Sequence, residues 1–159
     1  RHTRLIGLVG SEMCIRDSPY NYRISYKVTQ LCLIMRICGR GDVCSLIKLH
    51  LISFALISQE NMRKLVDFAD GIGSAPIVRF DPSVNRALTY AIGYGLIKRQ
   101  QNAKYKLTDR GKQLAEQIKV VGDLMVIEIG DLNLIAKKLT ERKVEEIVDR
   151  WRIKDAENQ

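Results

Sequence analysis

YGLIKRQQNAKYKLTDRGKQ, Tyr94 to Gln113, decides the reading of this chain. Two short runs with apolar anchors, Leu96–Arg99 and Lys104–Leu107, flank the polar tip QQNA. The alternation of a strand turns Tyr105 and Leu107 inward and Lys104 and Lys106 outward, so the runs are expected to pair as a hairpin. Thr108 then stands where an N-cap belongs, opening a helix whose buried face is Leu114, Ala115 and Ile118. Six of the twenty residues are Lys or Arg, and Asp109 alone is acidic.

Just upstream, FDPSVNRAL (Phe80–Leu88) carries the sharpest helix start in the chain. Asp81 is placed as N-cap and Pro82 as first helical residue. Val84, Ala87, Leu88, Ala91 and Ile92 recur at helical spacing and face inward. Ser83, Asn85, Arg86, Thr89 and Tyr90 are left facing outward, and Gly93 and Gly95 end the helix. Further back, Thr29 is expected to cap a helix through Leu31, Ile34, Met35 and Cys38 that stops at Gly39. Asp42 is expected to cap a second helix, Val43–Ile57, and Ser58 a third carrying Met62, Leu65, Val66 and Ala69. Ile72–Pro76 reads as a loop and Ile77–Phe80 as a short strand. Two more helices follow Ile118. Asp123–Leu139 places Leu124, Ile127, Leu132 and Ile135 on mixed faces, and the last helix opens at Thr140. In it Val144, Ile147, Val148 and Trp151 form a narrow apolar stripe, either packed on its own domain or forming a partner or homodimer interface.

Helix, helix, basic hairpin, helix is the order of a winged helix-turn-helix. RALTYAIGYGLIKRQQNAKYKLTDRGKQLAEQI (Arg86–Ile118) resembles the winged-helix pattern in which a recognition helix ends in "GLI", a wing follows, and "LT-x-x-G" opens the next helix. The resemblance implies a mainly α (α+β) fold with a small β-hairpin wing plus C-terminal helices. On duplex DNA it would turn Ser83, Asn85, Arg86, Thr89 and Tyr90 to the major groove and set Lys98, Arg99, Lys104 and Lys106 on phosphates. The wider layout, YKVTQLCLI, SLIKLHLISFAL, VRFDPSVNRALTYAIGYGLI and LT-x-x-G, resembles the small middle components of bacterial three-component systems built around an ABC-type ATPase and implicated in defence. That likeness implies an adaptor with an ABC-type ATPase or effector protein as partner. A stand-alone regulator of transcription is the alternative.

The first eighteen residues read differently. Leu8–Ser18, LVGSEMCIRDS, back-translates onto the transposon-end adapter of DNA sequencing libraries, and Arg1–Arg4 onto the primer outside it. Arg1–Ser18 is therefore expected to contribute nothing to the fold, with the true N-terminus hidden. A winged-helix domain over 19–121 and a helical extension over 122–159 remain. Without those eighteen the chain has 23 basic and 16 acidic residues, net +7. Seven basic residues and one acidic one fall between Pro82 and Lys112. So local an excess is the footprint of a phosphate-rich partner or an acidic protein surface.

Cys32, Cys38, Cys44 and His50 recur every six residues, which invites a metal. Six residues is about 600° of helix rotation, so such positions do not share a face. Zinc sites favour cysteines two to four apart. These cysteines are read as core residues, with no metal. An odd number in apolar surroundings, with no credible signal peptide, points to a reducing cytoplasm. No run is long enough to span a bilayer. Gly-x4-Gly-Lys is absent, and GIGSAP (Gly71–Pro76) does not match a dinucleotide fingerprint. No nucleophile–base pairing is proposed. The sequence argues for no enzyme and no cofactor.

Overall fold

The structure, a computed structural model, describes residues 19–157, with side-chain surroundings for 23–151. The expectation for Arg1–Ser18 lies outside the described residues. The described chain is mainly helical, with a small antiparallel sheet. In order it runs α1 (Pro19–Cys38), β1 (Val43–Ser45), α2 (Leu46–Ala55), α3 (Gln59–Ala69), α4 (Pro82–Gly93), β2 (Ile97–Arg99), β3 (Lys104–Leu107), α5 (Asp109–Val121), α6 (Val126–Ile135) and α7 (Glu141–Glu157). No described helix is long and apolar enough to cross a membrane.

α1 is the hub. Its Val28, Leu31, Cys32, Leu33, Ile34 and Met35 are all fully enclosed, so this stretch of the helix is buried on every side. It packs against α2, α4, α5 and α6. Thr29 does not cap it. The helix begins at Pro19, and the buried Thr29 hydroxyl donates to the Ser25 carbonyl at 2.9 Å. A mid-helix threonine can satisfy itself this way, one turn back, without ending the helix. Gly39 does end it. The last carbonyls are met by lysines: Lys48 Nζ donates to Cys38 O at 2.8 Å, and Lys137 Nζ to Gly39 O at 2.6 Å. Cationic side chains belong at a helix C-terminus, where carbonyls lack intrahelical partners.

Asp42 is not an N-cap either. Gly41 and Asp42 both have left-handed backbone, φ 63 and 62, the conformation of a tight two-residue turn. An N-cap needs extended backbone. Its carboxylate instead holds Arg36 at 3.0 Å and Lys112 at 3.7 Å. Val43–Ser45, expected to be helical, is a third strand, and Ser45 caps α2 by accepting from Lys48 N at 3.2 Å. The sheet order is β1-β3-β2, with Val43 opposite Lys106 and Ile97 opposite Leu107. Ile77–Phe80 forms no strand; it is an unpaired segment whose buried Val78 anchors it.

The locally encoded features stand. Ser58 caps α3, Asp81 caps α4 and Thr108 caps α5, each accepting from a backbone N–H at 2.9–3.2 Å. Tyr105 and Leu107 face the core. Gly111, the glycine of LT-x-x-G, sits where a Cβ would lie 2.1 Å from the Leu96 carbonyl oxygen and 2.7 Å from Leu107 Cδ2. The start of α5 is thereby pressed onto the chain leaving α4.

α6 is shorter than the expected 123–139 span, because Met125 (φ 51) and Ala136 (φ 44) break the helix on either side. Of the four apolar residues expected on mixed faces, Ile127 is exposed and the other three are buried. Leu124, Leu132, Ile135, Leu139, Val144 and Ile147 join the hydrophobic cluster that contains α1. The residues after 122 thus share one core with those before. Cys32, Cys38 and Cys44 are free and buried in the same core, and burial pushes each thiol up to about 12.

Candidate nucleic-acid interface

β3 sets out the basic face. Tyr105 points to the core, so Lys104 and Lys106 point away from it. Lys98 lies directly opposite Lys106 and shares that face. Arg99 does not. It stands opposite Tyr105, on the core-side face, with its guanidinium carbon 5.8 Å from that ring's centroid. Strand periodicity puts Lys98 and Arg99 on opposite faces, and both are exposed. Three lysines therefore share one face, and the exposed Arg99 lies over the Tyr105 ring at the edge of the other. Among the described residues Lys98, Lys104 and Lys106 make no ion pair. Like charges directly opposite on an antiparallel pair are destabilising. The Lys98–Lys106 pair is a liability to the fold taken alone.

α4 presents its outward residues less freely. The exposed Asn85 meets His50, its Oδ1 lying 3.3 Å from His50 Nε2. Thr89 donates its hydroxyl to the Asn85 carbonyl at 3.0 Å. Ser83 is half-buried, and its backbone N–H belongs to the Asp81 cap. Tyr90 is 38% exposed and stacks on Tyr94, ring centroids 6.3 Å apart. Arg86 is exposed and, among the described residues, has no ion pair. It remains the one long donor on this face.

His50 is the residue whose role the sequence did not disclose. It lies buried on α2, against the start of α4. Its Nδ1 accepts from the Asp81 backbone N–H at 3.2 Å, and its ring packs edge-on to Phe80, centroids 4.8 Å apart. With Nδ1 accepting, the proton sits on Nε2, which donates to Asn85 Oδ1. A neutral imidazole therefore pins both the cap and the first turn of α4 to α2. Nearby Lys27 donates to Ser53 Oγ at 2.6 Å and to Gln30 Oε1 at 3.0 Å. Burial lowers its pKa, against the charge of Asp81. No sequence signal marks this cluster, since its members come from α1, α2 and α4.

Burial also holds the His50 pKa below its ordinary value of 6.5; the Asn85 hydrogen bond and the Asp81 charge oppose the shift, and Lys27 adds to it. The unfolded chain therefore binds the proton first, so stability falls as pH drops through 6.5 and levels off below the folded-state value. The stability advantage of wild type over His50→Gln, measured by urea denaturation, is expected to shrink between pH 7.5 and 5.5. An advantage constant over that range would show that the ring's protonation is not coupled to folding.

The α7 stripe divides. Val144 and Ile147 are 2% and 1% exposed and belong to the core. They are withdrawn as interface residues, because a helix with one narrow apolar stripe buries it first against its own domain. Val148 is half-buried and Trp151 37% exposed. Among the described residues no group of three or more His, Cys, Asp or Glu is placed to hold a metal ion. Comparison with protein-family models, curated proteins and solved structures found no match.

Proposed function

We propose that the chain is a winged helix-turn-helix module that binds duplex nucleic acid, chiefly through phosphates. Its element order, α1-β1-α2 and then α4-β2-β3 around a sheet ordered β1-β3-β2, fits that architecture, with α3 as an added helix. The observation that carries the function is the lysine face. Lys98 and Lys106 oppose each other across paired strands with no carboxylate between them, and Lys104 extends the row. Phosphates relieve that repulsion and release counterions on contact. α4 supplies little base-reading capacity beyond Arg86, so contacts that position the protein outweigh those that read sequence. The resemblance to middle components of three-component systems extends this proposal to an ABC-type ATPase or effector as partner. An ATPase gene beside the source locus supports that extension, and an isolated locus favours a stand-alone regulator.

The test is the salt dependence of binding to a labelled DNA duplex. Each phosphate neutralised contributes about −0.9 to the slope of log affinity against log salt. Lys98→Ala combined with Lys106→Ala is expected to flatten that slope by about 2 and to weaken all duplexes alike. Arg86→Ala is expected to cost about 1–3 kcal/mol on a preferred site and less on random sequence, if Arg86 reaches a base edge. No duplex binding by the wild-type protein at low salt would end the proposal.

A further inference from the structure

We infer that the cleft between α2, α3 and the segment 72–79 is a binding site for a small aliphatic zwitterion, a free amino acid or a short peptide with both an ammonium and a carboxylate. The cleft encloses about 460 Å³, within the range of pockets that take small ligands. Leu51, Phe54 and Ala55 on α2 and Asn61, Lys64 and Leu65 on α3 fall at i, i+3 and i+4, so each helix gives it one continuous face. Leu51, Ala55 and Leu65 are buried and make a closed apolar floor. Ile72 and Ile77 stand at the mouth, 59% and 64% exposed. Large aliphatic side chains left in water beside such a floor are surface for a ligand to cover.

The charged groups of the lining set the class of ligand. α3 contributes Lys64 and Asp67, and the segment contributes Arg79. Lys64 is taken by Glu60, one turn back on the same helix, at 3.4 Å. Arg79 has no ion pair among the described residues; its guanidinium carbon lies 5.8 Å from the centroid of the Phe54 ring, part of the opposite wall. Asp67 gives its backbone carbonyl to the Asp70 and Ile72 N–H groups, and its carboxylate has no ion pair or hydrogen bond among the described residues. One cation and one carboxylate, on different walls and each without a partner, match a molecule that bears both charges and disfavour a net anion or a net cation. The rim adds uncommitted polar groups. Gly73–Phe80 makes no backbone hydrogen bond among the described residues, although the buried Val78 anchors it. Its N–H and C=O groups can orient a ligand's carboxylate, ammonium or amide, as backbone groups do in small-ligand sites. The cleft shares no residue with the lysine face or with α4, so this inference does not rest on the DNA-binding proposal.

The probes are free leucine and the dipeptide leucyl-leucine, titrated into the protein while its amide resonances are followed. At least one is expected to bind saturably and to shift Leu51, Leu65, Ile72 and Ile77. Saturation by leucine identifies a free amino acid as the ligand class, and saturation by leucyl-leucine alone a short peptide. Glycyl-glycine is expected not to bind, because it leaves the apolar floor unfilled. Amidating the carboxylate or acetylating the amine is expected to weaken the ligand about tenfold each, the scale of a hydrogen bond to a charged group. In Arg79→Gln the amidated ligand is expected to bind as well as the free carboxylate, and in Asp67→Asn the acetylated ligand as well as the free amine. Arg79 is exposed, so Arg79→Gln decides the charge argument even if Asp67→Asn folds poorly by circular dichroism. No saturable binding of either probe, equal binding of glycyl-glycine, indifference to the caps, an amidation penalty that persists in Arg79→Gln, or shifts lying outside the cleft would each overturn the inference.

Discussion

Gly111→Ala is expected to lower stability by at least about 3 kcal/mol, the upper end of what overpacking costs, and the thermal midpoint by about 10 °C. The added methyl would fall 2.1 Å from Leu96 O. That oxygen cannot retreat cheaply, because it accepts the Thr108 N–H at 3.0 Å and so helps set the α5 cap. Leu107 Cδ2, the other obstacle, belongs to a side chain that is 1% exposed. Gly130→Ala is the matched control. It adds the same methyl within helix α6, where a Cβ meets nothing within 4 Å, and is expected to raise stability by about 0.5–1 kcal/mol. Thermal denaturation followed by circular dichroism reads both. A Gly111→Ala protein melting within about 2 °C of wild type would show that α5 does not press on Leu96.

Lys48→Met is expected to cost about 1–3 kcal/mol in urea denaturation. Lys48 is 2% exposed and its Nζ meets the Cys38 carbonyl. Methionine keeps most of the stem's packing and leaves that oxygen buried without its donor. Lys137→Met, at an exposed position serving the neighbouring carbonyl of Gly39, is expected to cost less, since water can replace the lost donor there. Equal losses at the two positions would show that burial of the acceptor is not what matters.

The parts that could be read from the sequence were those written within a few residues. Ser58, Asp81 and Thr108 cap helices that begin directly after them, and the hairpin's partners are a handful of positions apart. Gly111 was recognised as part of a pattern, but its reason, the Leu96 carbonyl, lies across a tertiary contact. The misreadings share a cause. Thr29 and Asp42 are residue types that favour caps, yet one bonds back into its own helix and the other turns left-handed to meet Arg36 and Lys112. Val43–Ser45 is too short to signal a strand, and its partner is far along the chain. His50, Lys27 and Asn85 come from three helices, so no local pattern could join them. In the candidate interface the outward lysines of β3 followed from alternation. Arg99 is exposed as expected, but on the face opposite the lysines, which alternation through β2 also implies.

The position of β3 between β1 and β2 has a consequence for assembly and motion. Its turn with β2 can close by itself, but its other edge waits for β1, about 60 residues earlier, and such a closure is slow and entropically unfavourable until the intervening helices are in place. The hairpin is therefore stitched to the body along one full side. Its lysines are carried on a limb whose stiffness is inherited from α1 and the turn at Gly41–Asp42, and any surface it meets encounters a fixed spacing of charge.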